Sequence, residues 1–289
     1  MGKGKELRVR RSAIELDIKR WSAWAPGLAD GADWRAWSDG DKSIAGPIKP
    51  DVGFVERLLR RRLSPLNRMA FRVAANCLQG EDSQPLSIFC SRYGEFSRAF
   101  EILNNLANDE AVSPTTFSLS VHNTASSLFS IMQQDKTHST ALAGGQATLE
   151  SAFLECWTLL QESALPSHSK ATSALLVYCD QILPEMFLGR PETAVNDNVA
   201  LALLLRLPQR NDADAENSEN NESPGLHLSW QPSRVNSPSA AEDSDSSVLR
   251  IIRLLLKGGA PIASDFGRLT WTWTCVGKEM KAAYHGAPA

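Results

Sequence analysis

No two cysteines in this 289-residue chain are spaced as C-x-x-C, and the five present (Cys77, Cys90, Cys156, Cys179, Cys275) stand far apart. Several lie in apolar stretches, the pattern of buried free thiols in a reducing compartment rather than of a disulfide framework. The five histidines share no ligand spacing with one another or with cysteine, so no metal site and no cofactor are expected. Long hydrophobic runs are missing as well. None approaches the roughly 18 residues a membrane span requires, and the charged start MGKGKELRVRRSAIELDIKRW lacks the apolar core of a signal peptide. A cytoplasmic protein with no membrane insertion is expected. Charge of one sign is also lacking: 30 Lys and Arg against 33 Asp and Glu leave −3, no overall reason to expect nucleic-acid binding. The local exception is Arg57, Arg60, Arg61 and Arg62, read as a solvated helix face or a partner-binding patch.

The N-terminal residues 1–13 are expected to be a flexible extension, and Ala13 to Ile18 alternates weakly, as a strand would. Residues 21–50 hold Trp21, Trp24, Trp34 and Trp37 among Asp, Gly and Pro. They read as an irregular segment whose tryptophans either pin it to the core or grip a ligand. Val52 to Leu63 is expected to be a basic helix. Ser64-Pro65 then supplies an N-cap and a first-turn proline for a helix with Met69, Val73 and Cys77 on one face. Leu86 to Cys90 is a short apolar strand. A helix over Tyr93 to Ala107 would carry Phe96, Phe100, Leu103 and Leu106 on one stripe, and another helix would run from Val121 to Gln133. Thr172 to Cys179 and Val199 to Leu207 are near-continuous apolar runs, as suits strands covered on both faces. Strands alternating with helices in this way predict an α/β layered fold over residues 14–208.

Residues 209–247 are dominated by Asp, Glu, Asn, Ser and Pro and are expected to form a disordered acidic insert. Order should return in 248–280, first as a helix over Val248 to Lys257 ended by Gly258-Gly259, then as a strand at Leu269 to Cys275. That strand alternates Leu269, Trp271, Trp273 and Cys275 against three threonines. Residues 281–289 are expected to be a tail.

The segment with most chemistry in it is Thr140-Ala-Leu-Ala-Gly-Gly-Gln146-Ala-Thr-Leu-Glu150. It reads as a short buried strand, a tight Gly-Gly turn, and a helix starting near Ala147 and running to about Gln161. Such a layout presents residue 146 at a helix N-terminus, where the dipole and free N–H groups lower a thiol pKa and hold an oxyanion. Yet an amide cannot attack a thioester. The site is laid out for acyl chemistry without a nucleophile, and Gln146 is expected to act as a cap on the emptied turn. Cys90, Cys156 or Cys179 as a displaced nucleophile is the enzymatic alternative.

From about Arg61 to Asp180 the chain resembles the N-terminal half of a β-ketoacyl synthase, the thiolase-like condensing enzyme of fatty acid and polyketide synthesis. Arg61-Arg62-Leu-Ser-Pro-Leu-Asn-Arg68-Met resembles that family's early helix motif, and Ser113-Pro-Thr-Thr-Phe-Ser-Leu-Ser-Val-His-Asn123 its S-P…N stretch beside the acyl pocket. Ala174-Leu-Leu-Val-Tyr-Cys-Asp180 resembles the next core strand, and Gln146 falls where the family carries its catalytic cysteine. The second thiolase-like repeat, with its two basic residues, is not found, so a truncated thiolase-like fold is expected. Both departures resemble chain-length factors, the silent partners of active ketosynthases. Trp21-Ser-Ala-Trp-Ala-Pro-Gly27 and Arg268 to Trp273 resemble the ketosynthase-like subunit of aryl polyene clusters.

The resemblance implies a catalytically silent subunit that pairs with a full-length ketosynthase and shapes its acyl tunnel. It implies an acyl carrier protein as a further partner. Val121, His122, Asn123, Thr124 and Leu128 would line or gate the tunnel. His138, Ser139, Thr140, Ala141, Leu142 and Ala143 would form the strand that pairs across the dimer axis. The alternative implied is a malonyl-carrier decarboxylase, or an otherwise active synthase.

Overall fold

The computed structural model describes residues 12–165, 171–187, 197–208, 224–233, 246–277 and 284–285. In chain order its elements are β1 (Ser12–Trp24), α1 (Gly31–Asp39), a single turn α2 (Arg57–Arg60) and α3 (Pro65–Leu78). β2 (Leu86–Cys90), α4 (Phe96–Ala107), the short α5 (Pro114–Ser118) and α6 (Thr124–Gln133) follow. Next come β3 (Ser139–Leu142), α7 (Thr148–Ser163), β4 (Ala174–Asp180), β5 (Val199–Arg206) and β6 (Gly225–Pro232). α8 (Ser247–Lys257) and the hairpin of β7 (Ile262–Phe266) and β8 (Leu269–Val276) complete the fold.

All eight strands join one sheet in the order β3-β2-β4-β5-β1-β6-β8-β7. β2 pairs parallel with both β3 and β4, and every other pairing is antiparallel. The central strands β4 and β5 are apolar nearly throughout because helices cover both faces. Alternate residues feed two cores. Leu176 and Tyr178 with Leu201 and Leu203 meet α7 and α8 on one face. Leu175, Val177, Ala202 and Leu204 meet Met69, Phe71, Val73 and Cys77 of α3 on the other. The result is the layered α/β architecture that the alternation of elements predicts.

β1 would not serve both halves of its length without an irregularity. Ile14, Leu16 and Ile18 point into the α7/α8 core, and strict alternation would next send Arg20 there. A register shift between Ile18 and Arg20 takes up Lys19 as an extra residue and turns Trp21 and Ala23 into that core instead. Arg20 is left free to donate to the carbonyl of Gln79 at 2.7 Å, and Lys19 to meet Glu81 at 2.9 Å.

Several expectations need correction. Residues 12 and 13 belong to β1, while 1–11 of the expected extension lie outside the described residues. The 21–50 segment is not irregular throughout: β1 runs to Trp24, and Asp30 caps α1 by accepting from the N–H groups of Ala32 and Asp33. Its tryptophans are core residues: Trp34 Nε1 donates to the carbonyl of Ala23 at 3.0 Å and packs edge-on against Trp37. The basic helix of 52–63 shrinks to one turn. Val52 and Val55 are buried in a preceding bend, and Glu56 accepts from Leu58 and Leu59 N–H, which lets the helix begin only at Arg57.

The expected acidic insert contains a full strand. β6 lies between β1 and β8, with Leu226 and Leu228 fully buried; residues 209–223 and 234–245 lie outside the described residues. Within the expected tail, Tyr284 packs edge-on against Trp21 at 4.7 Å and the His285 N–H donates to the Trp21 carbonyl. β7 carried no sequence signal of its own and forms because β8 offers it a pairing edge.

Candidate functional site

β2, β3 and β4 run parallel, so their carboxyl ends lie together, which is where open α/β sheets place their sites. The turn after β3 is tight by construction. Gly145 has φ +61°, and a Cβ on Gly144 would lie 2.7 Å from Ser151 Oγ. The left-handed φ at Gly145 favours glycine, and a side chain at position 144 would require Ser151 to shift. One 3-10 turn, Gly145–Ala147, leads into α7.

Gln146 stands exposed at the head of α7 and makes no hydrogen bond with another described residue. No side chain caps α7; the Gly-Gly turn is tied by Thr148, whose Oγ1 accepts from Gly144 N–H at 3.0 Å and donates to the Gly145 carbonyl at 2.7 Å. β3 itself is not the buried strand expected. It forms one edge of the sheet, Ser139 is exposed, and Thr140, Ala141 and Leu142 are half-buried. His138 and Ala143 flank it, outside the strand and exposed.

The thiols offer no alternative nucleophile at this position. Cys77, Cys90, Cys156 and Cys179 are buried, and burial pushes each thiol well above its ordinary pKa. Cys275 is raised to about 11 by the same cause. The thiol forms of these side chains pack as small apolar groups. Among the described residues, no group of three or more His, Cys, Asp or Glu could hold a metal ion.

Two buried acids beneath the turn escaped the sequence reading. Glu150, one helical turn beyond Gln146, accepts from Trp273 Nε1 at 2.9 Å, while Oε2 is buried with no hydrogen-bond partner. Burial raises its carboxyl to about 7. Asp180 ends β4 and accepts from Ser91 Oγ at 2.8 Å, from Arg92 N–H at 2.9 Å and from the Tyr178 hydroxyl. Burial raises it too, against the lowering effect of those donors. Each was visible as an acid inside an apolar run, though only the packed sheet reveals its partner.

The expected tunnel residues divide. Val121, His122 and Asn123 are exposed on the segment between α5 and α6. Thr124 and Leu128 are buried: Leu128 packs in the core with Phe71 and Phe129, and Thr124 Oγ1 lies within hydrogen-bond distance of the Leu119 and Val121 carbonyls. Truncating Leu128 would cost about 2–5 kcal/mol of stability as a core cavity. Leu103 and Leu106 of α4, Phe117 of α5, Val121, and Ile131 of α6 are each more than half exposed. Of the expected α4 stripe, Leu103 and Leu106 are exposed while Phe96 and Phe100 are half-buried against Phe187, and only Ile102 of that helix is buried.

On the far side of α3, a cleft of about 560 Å³ is lined by Lys49, Arg57, Arg60, Arg61 and Arg68 with Asp51 as its acid. No helix among the described residues is long and apolar enough to cross a membrane.

Residues 34–274 match the model of the β-ketoacyl synthase N-terminal domain. The fold is similar to a solved ketosynthase (ApeO) in complex with its chain length factor (ApeC) from Xenorhabdus doucetiae. That match has a TM-score of 0.68 and 26% identity over 90% of this chain and 99% of that one. It is also similar in fold to the ishigamide ketosynthase/chain length factor, with a TM-score of 0.53 and 14% identity over 76% of this chain and 68% of that one. No curated protein matches the sequence.

Proposed function

This chain belongs to the β-ketoacyl synthase N-terminal domain family, and from that premise we propose that it is a non-catalytic partner subunit, a chain-length factor. It pairs with a full-length ketosynthase in the cytoplasm and shapes the acyl tunnel during synthesis of a polyene or fatty-acid-like chain. The observation that carries this reading is Gln146, an exposed amide at the head of α7 in a turn built to present a nucleophile. Condensation needs a thiolate to carry the growing chain and groups that polarise the carboxylate of the extender unit. A neutral amide supplies neither. The 26% identity to a chain of the ketosynthase–chain length factor complex, over 99% of that chain, supports the same reading.

What the subunit contributes is surface. Among the described residues β3 has one unpaired edge, α6 packs against it, and α4, α5 and α6 carry exposed apolar side chains, a combination that a partner would cover. Covered by a ketosynthase, Val121, His122 and Asn123 would stand at the junction and close the far end of the partner's tunnel. Roughly 0.8 kcal/mol per buried methylene makes chain length sensitive to the size of a residue there. The arginine-rich cleft beside α2 suits an acidic acyl carrier protein.

Co-expression with a full-length ketosynthase from the same gene cluster, followed by native mass spectrometry, tests this reading. A one-to-one heterodimer is expected, with the chain poorly soluble alone. A stable monomer or homodimer that ignores the ketosynthase would overturn it.

A further inference from the structure

The segment from Leu119 to Asn123 has no helix or strand of its own, so its position depends on tertiary bonds. Arg98 of α4 supplies one of them. Its side chain is 16% exposed, with Nε 3.4 Å from Oε2 of Glu95, itself 3% exposed. Nη1 donates to the Leu119 carbonyl at 3.0 Å, and Nη2 to the Arg62 carbonyl at 2.6 Å. Glu95 in turn accepts from the Ser64 hydroxyl that caps α3, at 2.7 Å. One planar cation therefore ties three pieces together: α4, the turn between α2 and α3, and the exposed segment that carries Val121 and His122.

The other side of that segment is seated as firmly. A Cβ on Gly94, whose φ is +57°, would fall 2.5 Å from His122 Nδ1, so the imidazole lies directly against the glycine backbone. Gly94 N–H donates to Ser91 Oγ at 2.8 Å, and Ser91 Oγ donates to buried Asp180 at 2.8 Å. Leu119 is thus held by Arg98 and His122 by a loop anchored to the end of β4. Between them in sequence stands Val121, about half exposed.

We propose that Arg98 is a positioning residue for chain-length selection: through the Leu119 carbonyl it sets where Val121 and His122 stand against the partner subunit. This inference rests on the partner-subunit reading. Lysine can neutralise Glu95, but one ammonium cannot replace a planar fork that serves two carbonyls and a carboxylate at once. Glutamine keeps a single donor and no charge. Both variants leave the surface facing the partner chemically unchanged.

The test compares complexes of wild type, Arg98→Lys and Arg98→Gln with the ketosynthase, reading product lengths by mass spectrometry and amide hydrogen exchange over residues 119–123. Arg98→Lys is expected to assemble as well as wild type, to exchange roughly tenfold faster in that segment, and to spread the products by at least one extension unit. Unchanged exchange would overturn the proposal, as would faster exchange with a wild-type product profile. Failure of both variants to assemble would overturn it too, making Arg98 a folding residue. Val121→Trp, measured alongside, separates the two claims. If it leaves product length untouched in an assembled heterodimer, the gating role of Val121 fails and the role of Arg98 in chain-length selection falls with it; if the wild-type chain forms no heterodimer, the partner-subunit reading itself fails.

Discussion

Gln146 and Glu150 lie one helical turn apart and meet opposite environments. The first is in water, so Gln146→Cys would place a thiol at an accessible helix N-terminus, where it should react readily with iodoacetamide. Condensing activity is nevertheless expected to stay at background in a malonyl-transfer assay, because no described residue near the turn supplies the groups that polarise an extender carboxylate. Appreciable product from that single change would contradict the non-catalytic reading. Glu150 is the reverse case. Burial raises its carboxyl from 4.5 to about 7, so between those values the folded chain holds a proton that the unfolded chain has released. Stability from this group is therefore complete at low pH, declines as pH rises from about 4.5, and levels off above about 7. A shift of that size corresponds to on the order of 3 kcal/mol. Glu150→Gln should raise Tm near pH 8 and leave it little changed near pH 5. Parallel Tm–pH curves for the two proteins would show that Glu150 is not held neutral.

Among the elements, β3 has the most to lose from a small change. Ser87 N–H donates to the His138 carbonyl and Ser91 N–H to the Leu142 carbonyl, so even-numbered residues of this strand face β2. By alternation, Ser139 and Ala141 turn their N–H groups toward the open edge. Ala141→Pro removes one outward donor without breaking the ladder to β2. Circular dichroism should be unchanged, while affinity for the ketosynthase falls roughly tenfold or more, the effect of one or two lost interface hydrogen bonds. Full affinity would mean that the edge is not where the subunits meet. α4 shows a different limit of sequence reading. Its apolar stripe is plain, but periodicity reports only that a face needs covering, not whether the chain or a partner covers it. β6 was within reach, since Leu226, Leu228 and Trp230 alternate correctly. Its charged surroundings masked a strand that is stable only because β1 and β8 pair with both its edges.

For the molecule as a whole, exposed apolar side chains occur in more than one place, Leu58 of the arginine-bearing α2 among them. Leu103 and Leu106 of α4, Phe117 of α5, Val121, and Ile131 of α6 are exposed on helices of which α4 packs against α5 and α6 against β3, whereas the arginines of α2 line a cleft with Arg68 of α3. The isolated chain should associate through the apolar residues of α4 to α6. The double substitution Leu103→Glu and Leu106→Glu is expected to make the lone subunit soluble and monodisperse by size-exclusion chromatography. The same change should abolish co-purification with the ketosynthase. Retained co-purification would move the interface elsewhere on the surface.

The sequence alone determined what depends on local pattern. β2, β4, β5, β8 and α8 were readable because strand and helix periods are properties of neighbouring residues, and so was the turn that presents Gln146. The family resemblance was legible for the same reason, as an ordered set of short motifs. Tertiary structure decided what depends on distant partners. It put a strand inside an acidic segment, tied the Gly-Gly turn through Thr148 rather than Gln146, and placed Leu128 in the core while leaving Val121 outside it. It also buried Glu150 against Trp273 and tied Arg98 to the Leu119 and Arg62 carbonyls. Burial and hydrogen-bond partnership are set by residues far apart in the chain, and no window of neighbouring residues contains them.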